Sequence, residues 1–189
     1  MSNTWFTSDH HFYHNNILKF ENRPYSSVAE MNEGMIETWN KHVGVKDTVY
    51  HMGDMVFCGY EKLCEVASHL NGNIHWILGN HDRIQAATRV KEDGLIAEIY
   101  PVGHKMKIGD HELWLSHFPL EIGLRPRKWS ICGHIHSEPS NYHNQLNVGV
   151  DSPLMAFKDF GVPLHIDELQ VELEKRTPVI EKLFLIERG

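Results

Sequence analysis

Short apolar runs alternate with segments of helical period through the first half of the chain, and several of the runs end directly in a cluster of polar residues. That alternation is what most restricts the fold, because strand-like runs separated by amphipathic helices are the signature of an α/β domain. Residues 4–8, 48–52 and 73–78 read as strands. Between them, Ser27 and Glu30 form a capping box, and Met31, Met35, Trp39 and Val43 follow at helical spacing, so the pattern predicts a helix over residues 27–43. A second helix is expected over 60–70, stopped by Asn71-Gly72, and a third from about Ile84. After Gly94 the pattern turns to β: residues 95–100, 104–108, 112–116, 129–132 and 146–150 read as strands, with Gly109-Asp110 joining two of them as a tight hairpin. Asp167 with Gln170 reads as a capping box opening a helix to about Lys175, and Thr177-Pro178 as the start of a separate final helix.

The chain has 189 residues, which suits one domain spanning 1–189. With 41% apolar and 23% charged residues it is ordinary globular sequence. Eighteen Lys and Arg against 25 Asp and Glu leave a formal charge of −7, which argues against a broad nucleic-acid footprint but not against a small phosphate ester. Cys58, Cys64 and Cys132 form no CxxC pair and read as reduced thiols. The amino terminus lacks the pattern of a signal peptide, and no apolar run approaches the roughly 20 residues of a membrane span. A cytoplasmic protein with no membrane partner is the expectation. The anomaly is the count of 15 histidines, which points to metal ligation, proton transfer or an accident of surface composition.

Position separates these possibilities. Asp9-His10-His11, Gly53-Asp54, Gly79-Asn80-His81-Asp82, Ser116-His117 and Gly133-His134-Ile135-His136 each follow a strand. In open α/β sheets ligands bind in the crevice at the carboxyl ends of strands, so clusters distant in sequence converge there. Imidazole nitrogen with carboxylate oxygen is the ligand set of Zn, Mn, Fe or Ni. An extended backbone through Asp9-x-His11 and His134-x-His136 would put alternate side chains on one face, and Gly79 and Gly133 would allow close backbone approach.

The ordered set D-x-H, GD, GNHD, H and GHxH, running from about residue 4 to 151, resembles the calcineurin-like metallophosphoesterase family. The opening Ser8-Asp9-His10-His11-Phe12-Tyr13-His14 and the stretch His117-Phe118-Pro119-Leu120-Glu121 resemble its small, capless bacterial and phage-type members. The resemblance implies an α/β fold built as a β-sandwich flanked by helices in four αββα layers. It implies two divalent ions (Mn, Fe, Zn or Ni), the first held by Asp9, His11, Asp54 and His136. The second would be held by Asp54, Asn80, His117 and His134, with Asp54 bridging. His81 would be the catalytic histidine beside phosphorus, oriented by Asp82. The implied activity is hydrolysis of phosphodiesters or phosphomonoesters by in-line attack of a metal-bridging hydroxide.

Other assignments stay open at this level. His10 alternates away from the ligand face and suits packing behind the site. His14 either meets the substrate phosphate or is a solvated loop residue. Arg23, Arg125 and Arg127 either fork onto phosphate oxygens or are plain surface arginines. The substrate is a phosphate ester, nucleotide or nucleic-acid end. The alternatives to a general phosphoesterase are a nuclease or nucleic-acid end-processing enzyme on the same metals, and a non-catalytic metal-binding interaction scaffold.

Overall fold

Residues with β-branched and aromatic side chains fill the strands of the amino-terminal half, as suits a pleated surface packed on both faces. The computed structural model describes residues 2–188; Met1 and Gly189, the two ends of the expected domain, lie outside the described residues. The strands are β1 (Thr4–Thr7), β2 (Thr48–His51), β3 (Asn73–Ile77), β4 (Glu98–Tyr100), β5 (Gly103–Ile108), β6 (His111–Ser116), β7 (Lys128–Cys132), β8 (Gln145–Asn147) and β9 (Leu164–His165). They form two sheets, ordered β4-β3-β2-β1-β9 and β5-β6-β7-β8. β1 to β4 pair in parallel, and β9 closes one edge antiparallel to β1. β5 and β6 form the hairpin expected at Gly109-Asp110, whereas β6, β7 and β8 pair in parallel. The helices are α1 (Ile17–Phe20), α2 (Val28–His42), α3 (Tyr60–His69), α4 (Ile84–Glu92) and α5 (Ile166–Arg188). The described chain is thus mixed α/β with two sheets and five helices, and no helix in it is long and apolar enough to cross a membrane.

Alternation along β1 sends Trp5 and Phe6 into different cores. Trp5 joins Met31, Met35 and Trp39 of α2 and Leu63 of α3. Phe6, with Met52 and Ile77, joins Leu113, Leu115, Trp129 and Leu146 of the second sheet and Leu169, Leu173 and Ile180 of α5. One consequence of the parallel pairings matters for function. The carboxyl ends of β1, β2 and β3 lie side by side, as do those of β6 and β7, and all five polar clusters leave from these ends.

The local expectations hold in outline and fail in three details, one being that α5 begins at Ile166, so Asp167 lies within its first turn and does not cap it with Gln170. Ser27 accepts from the Glu30 amide as the N-cap of α2, but the Glu30 carboxylate reaches back one residue further, accepting from Ser26 N at 2.8 Å. The two helices expected near the carboxyl end are one, running through Pro178. An internal proline costs roughly 3 kcal/mol. Leu173 and Ile180, on either side of it, are fully buried in the same core, and each such burial is worth about 1.5–3 kcal/mol. Packing therefore outweighs the proline. The Thr177 hydroxyl is spent inside this helix, donating to Leu173 O at 2.7 Å. α1, β9 and a 3-10 turn at Pro153–Met155 carry too few residues to show a period in sequence.

The register of α5 is testable. Leu169 is fully buried and Val171 is 61% exposed. Leu169→Ala should cost about 2–5 kcal/mol and Val171→Ala within about 0.5 kcal/mol, measured by urea unfolding; equal effects would refute the packing of this helix.

Candidate metal centre

The chain leaves the strands in left-handed turns. Asp9, His11 and Tyr13 have φ of 60°, 50° and 66°, Asp54 53°, and His134 and His136 70° and 44°. The extended backbone expected through Asp9-x-His11 and His134-x-His136 is therefore corrected. A strand continued past the sheet would carry these side chains onward, whereas left-handed residues swing them across the strand ends. Each costs an L-residue roughly 1–2 kcal/mol, and such strain persists only where the surroundings over-determine it. Here two loops zip together: Asp9 N and His11 N donate to Gly53 O and Asp54 O, both at 3.0 Å, and Phe12 N donates to Met55 O at 2.9 Å. Gly79 and Gly133 serve close approach, as expected. A Cβ on Gly79 would overlap Asp54 Oδ1, and one on Gly133 would overlap Ser8 Oγ and Asp9 Oδ2.

These turns bring carboxylate and imidazole atoms face to face. Asp54 Oδ1 accepts from His81 N at 2.9 Å, which turns Oδ2 inward. Oδ2 then lies 3.4 Å from His117 Nε2, 3.6 Å from His11 Nε2 and 4.0 Å from His81 Nε2. His117 Nδ1 is 2.8 Å from Met52 O, so the ring proton belongs on Nδ1 and the Nε2 lone pair faces the site. That Nε2 is also 2.9 Å from Asn80 Oδ1 and 3.2 Å from His134 Nδ1. A proton on His134 Nδ1 can serve Asn80 Oδ1 across 3.0 Å or His117 Nε2 across 3.2 Å but not both, and with the His117 proton on Nδ1 neither member of the facing pair, Asp54 Oδ2 and His117 Nε2, donates to the other. Burial holds His117 below the ordinary imidazole range, so the charged ring is disfavoured as a remedy.

The other flank repeats the pattern. Asp9 Oδ1 and both ring nitrogens of His11 are buried without a hydrogen-bond partner. Burial pushes the Asp9 carboxyl up to about 7 and the His11 imidazole down to about 2. Buried polar atoms are nearly always paired, so these orphans fit a bound cation. Two sets of side chains, Asp9–His11–His136 and Asp9–Asp54–His117, bring one ligand atom from each residue within 4.8 Å of the others. The His/Asp groupings could each hold a metal ion.

His10 packs behind the site as expected, stacked on Phe12 with its Nδ1 3.0 Å from His51 Nε2. His14 stays at the site, its ring 4.1 Å from that of Phe57 and 5.5 Å from that of His11. Asp82 does not orient His81: its carboxylate accepts from Asp54 N, Gly79 N, Met55 N and Trp76 Nε1, tying the turn after β2 to the turn after β3. Arg23 is not a substrate arginine. It is buried, forks onto Asp151 at 2.9 and 2.7 Å, and donates to Asp9 O and His10 O. Arg125 precedes β7 and so lies at the end of that strand away from His134; it donates to Leu124 O and sits over Phe184 of α5. Arg127 pairs with Asp110.

Asp151 and His51 were not assigned from sequence. Asp151 Oδ2 lies 3.1 Å from His136 Nδ1 and so leaves His136 Nε2 for the cluster. Burial opposes charge on His136, but the Asp151 hydrogen bond and the Asp9 charge hold it above its ordinary value. Asp151 does follow an apolar run, as the recognised clusters do, and that placement is the signal that could have found it. His51 accepts from Gly53 N at 3.2 Å, which supports the turn carrying Asp54.

No family model matches the chain. A stretch of 94 residues is 44% identical to an uncharacterized protein of Methanocaldococcus jannaschii, covering 49% of this chain and 53% of that one. The Gene 66 protein of Mycobacterium phage L5 is 27% identical over 184 residues, 80% of this chain and 88% of its own length. A protein of unknown function from Aquifex aeolicus superposes with a TM-score of 0.70 over 90% of this chain and 98% of its own, at 21% identity. The fold is shared with that protein.

Burial, then the Arg23 and His11 charges, lower His10 to about 3. The unfolded chain, with His10 near 6.5, binds a proton that the fold refuses, so this residue removes stability as pH falls from about 6.5 toward 3. Asp9 acts in the opposite sense. In chelator-treated protein, His10→Gln should therefore lose about 2 kcal/mol less than wild type between pH 7 and pH 5, measured by urea midpoints; parallel losses would contradict a buried neutral His10.

Proposed function

We propose that the chain is a calcineurin-like metallophosphoesterase, a four-layer αββα β-sandwich holding two divalent cations and hydrolysing phosphodiesters or phosphomonoesters. The observation that carries this reading is the meeting of Asp54 Oδ2 and His117 Nε2 at 3.4 Å with no proton donor between them. Asp9, His11, Asp54 and His136 would hold one cation. Asp54, Asn80, His117 and His134 would hold the other, with Asp54 common to both. Such a pair, when bound, would supply Lewis-acid polarisation of the phosphoryl oxygens and would lower the pKa of water enough to make it a nucleophile at neutral pH.

The chain's own residues do the rest. Asp151 fixes the His136 ring through Nδ1, and Met52 O fixes that of His117. Asp54, already tied to His81 N, holds the loop that presents the His81 ring. The His81 side chain is 42% exposed, with Nε2 4.0 Å from Asp54 Oδ2, so it reaches a phosphate ester held at the cluster. Nε2–H donates to the ester oxygen as its bond to phosphorus breaks, and the alcohol leaves neutral.

Two variants separate these roles. Asp54→Ala should lose both metal equivalents. His81→Ala should keep them and lose roughly 10²–10⁴ in kcat. Elemental analysis beside turnover of a nitrophenyl phosphodiester checks both; full metal content in Asp54→Ala would contradict the shared ligand. Absence of turnover with Mn, Ni, Fe and Zn alike would favour the scaffold.

A further inference from the structure

A cavity of 370 Å³ is lined in part by His81 and Asp82, next to the cluster. Its floor is apolar, made by Val56, Leu63, Trp76 and Ala86, where α3 and α4 meet the end of β3. It is also lined by the Tyr60 ring, with the Arg89 guanidinium 3.8 Å from the ring centroid, and by Gln85. Arg83 adds a second cation in a chain of formal charge −7. Phe57, 44% exposed, follows Val56 and sets its ring edge-on to His81 at 5.2 Å between centroids. Nothing in the chemistry assigned above to the metal ligands and His81 uses these groups.

We propose that this cavity receives the leaving alcohol of the substrate and that it selects a nucleoside-like alcohol carrying a planar heteroaromatic ring. The inference rests on the phosphoesterase reading. His81 donates its proton to the departing oxygen, so the departing group lies beside His81, which also lines the cavity. The volume falls at the small end of the 300–1,000 Å³ range of small-molecule sites, enough for one ring system and its sugar and too small for a folded partner. A flat Tyr–Arg plate over an apolar floor favours a π-face, since guanidinium and aromatic rings both stack on heteroaromatic bases. The Gln85 amide, in the same lining, can both donate to and accept from the polar edge of such a base. The reaction is an ordinary hydrolysis: water adds to phosphorus, the phosphorus–oxygen bond to the alcohol breaks, and the proton on His81 goes to the alcohol oxygen.

The test compares adenosine 5′-phosphate and its methyl ester with ribose 5-phosphate and its methyl ester, which differ only in the base. Wild-type protein loaded with Mn should show kcat/KM at least tenfold higher for the adenosine compounds. Ala86→Trp, which fills the cavity, and Tyr60→Ala, which removes the plate, should each bring that ratio toward one. A wild-type ratio near one, or a high ratio unchanged in both variants, overturns the proposal. Calorimetric binding of the two monophosphates to the same proteins separates the two levels of the argument. If no metal form turns over any ester, the phosphoesterase reading fails; adenosine 5′-phosphate still binding more tightly than ribose 5-phosphate, with the difference lost in Ala86→Trp, would support the cavity's selectivity, and equal binding would overturn it.

Discussion

Burial of carboxylate and imidazole atoms without hydrogen-bond partners is the constraint on which the rest of the structure depends. Asp54 Oδ2 is ringed by the Nε2 atoms of His11, His81 and His117. Two of those rings have almost no solvent to turn to, since His11 and His117 are 2% and 1% exposed. A metal-free cluster of this kind opposes folding, because carboxylate and imidazole lose water without gaining partners. The architecture is arranged to bear that cost. Parallel strands bring the donor-bearing turns together, left-handed residues aim them, and glycines at positions 79 and 133 let the backbones close to contact. A cation at the centre would give these atoms the partner they lack and would be the largest local charge.

Arg23 shows how the surroundings hold that arrangement. Its guanidinium binds the Asp151 carboxylate in a fork and the carbonyls of Asp9 and His10 with its remaining donors. Asp151 in turn sets the His136 ring. One buried cation therefore couples the turn after β1 to the turn that carries Asp151, while its charge is spent on Asp151 and the two carbonyls. Asp82 does the equivalent on the other side, where four N–H groups converge on its carboxylate and lock the turns after β2 and β3. Both residues maintain the site's geometry without belonging to its ligand sets.

What was legible in the sequence is what repeats locally. Helix α2 announced itself through Ser27, Glu30 and the spacing of Met31, Met35 and Trp39, and those three apolar side chains are fully buried. The placement of polar clusters after strands was equally local, and the structure brings Asp9, His11, Asp54, Asn80, His117, His134 and His136 to neighbouring strand ends. The left-handed turns were not legible, because Asp and His carry no obligation to adopt them as glycine does. The partnership of Arg23 with Asp151 spans 128 residues, and no local pattern encodes a contact at that separation. The continuity of α5 through Pro178 failed for the same reason, since burial of Leu173 and Ile180 is decided by tertiary packing.

The most direct test of the account is an anomalous difference map from crystals of the protein grown with manganese. The account predicts two peaks, one toward Asp9, His11 and His136 and one toward Asn80, His117 and His134, with Asp54 Oδ2 in the coordination sphere of both. No peak at the cluster, or one that leaves Asp54 unbound, would contradict it.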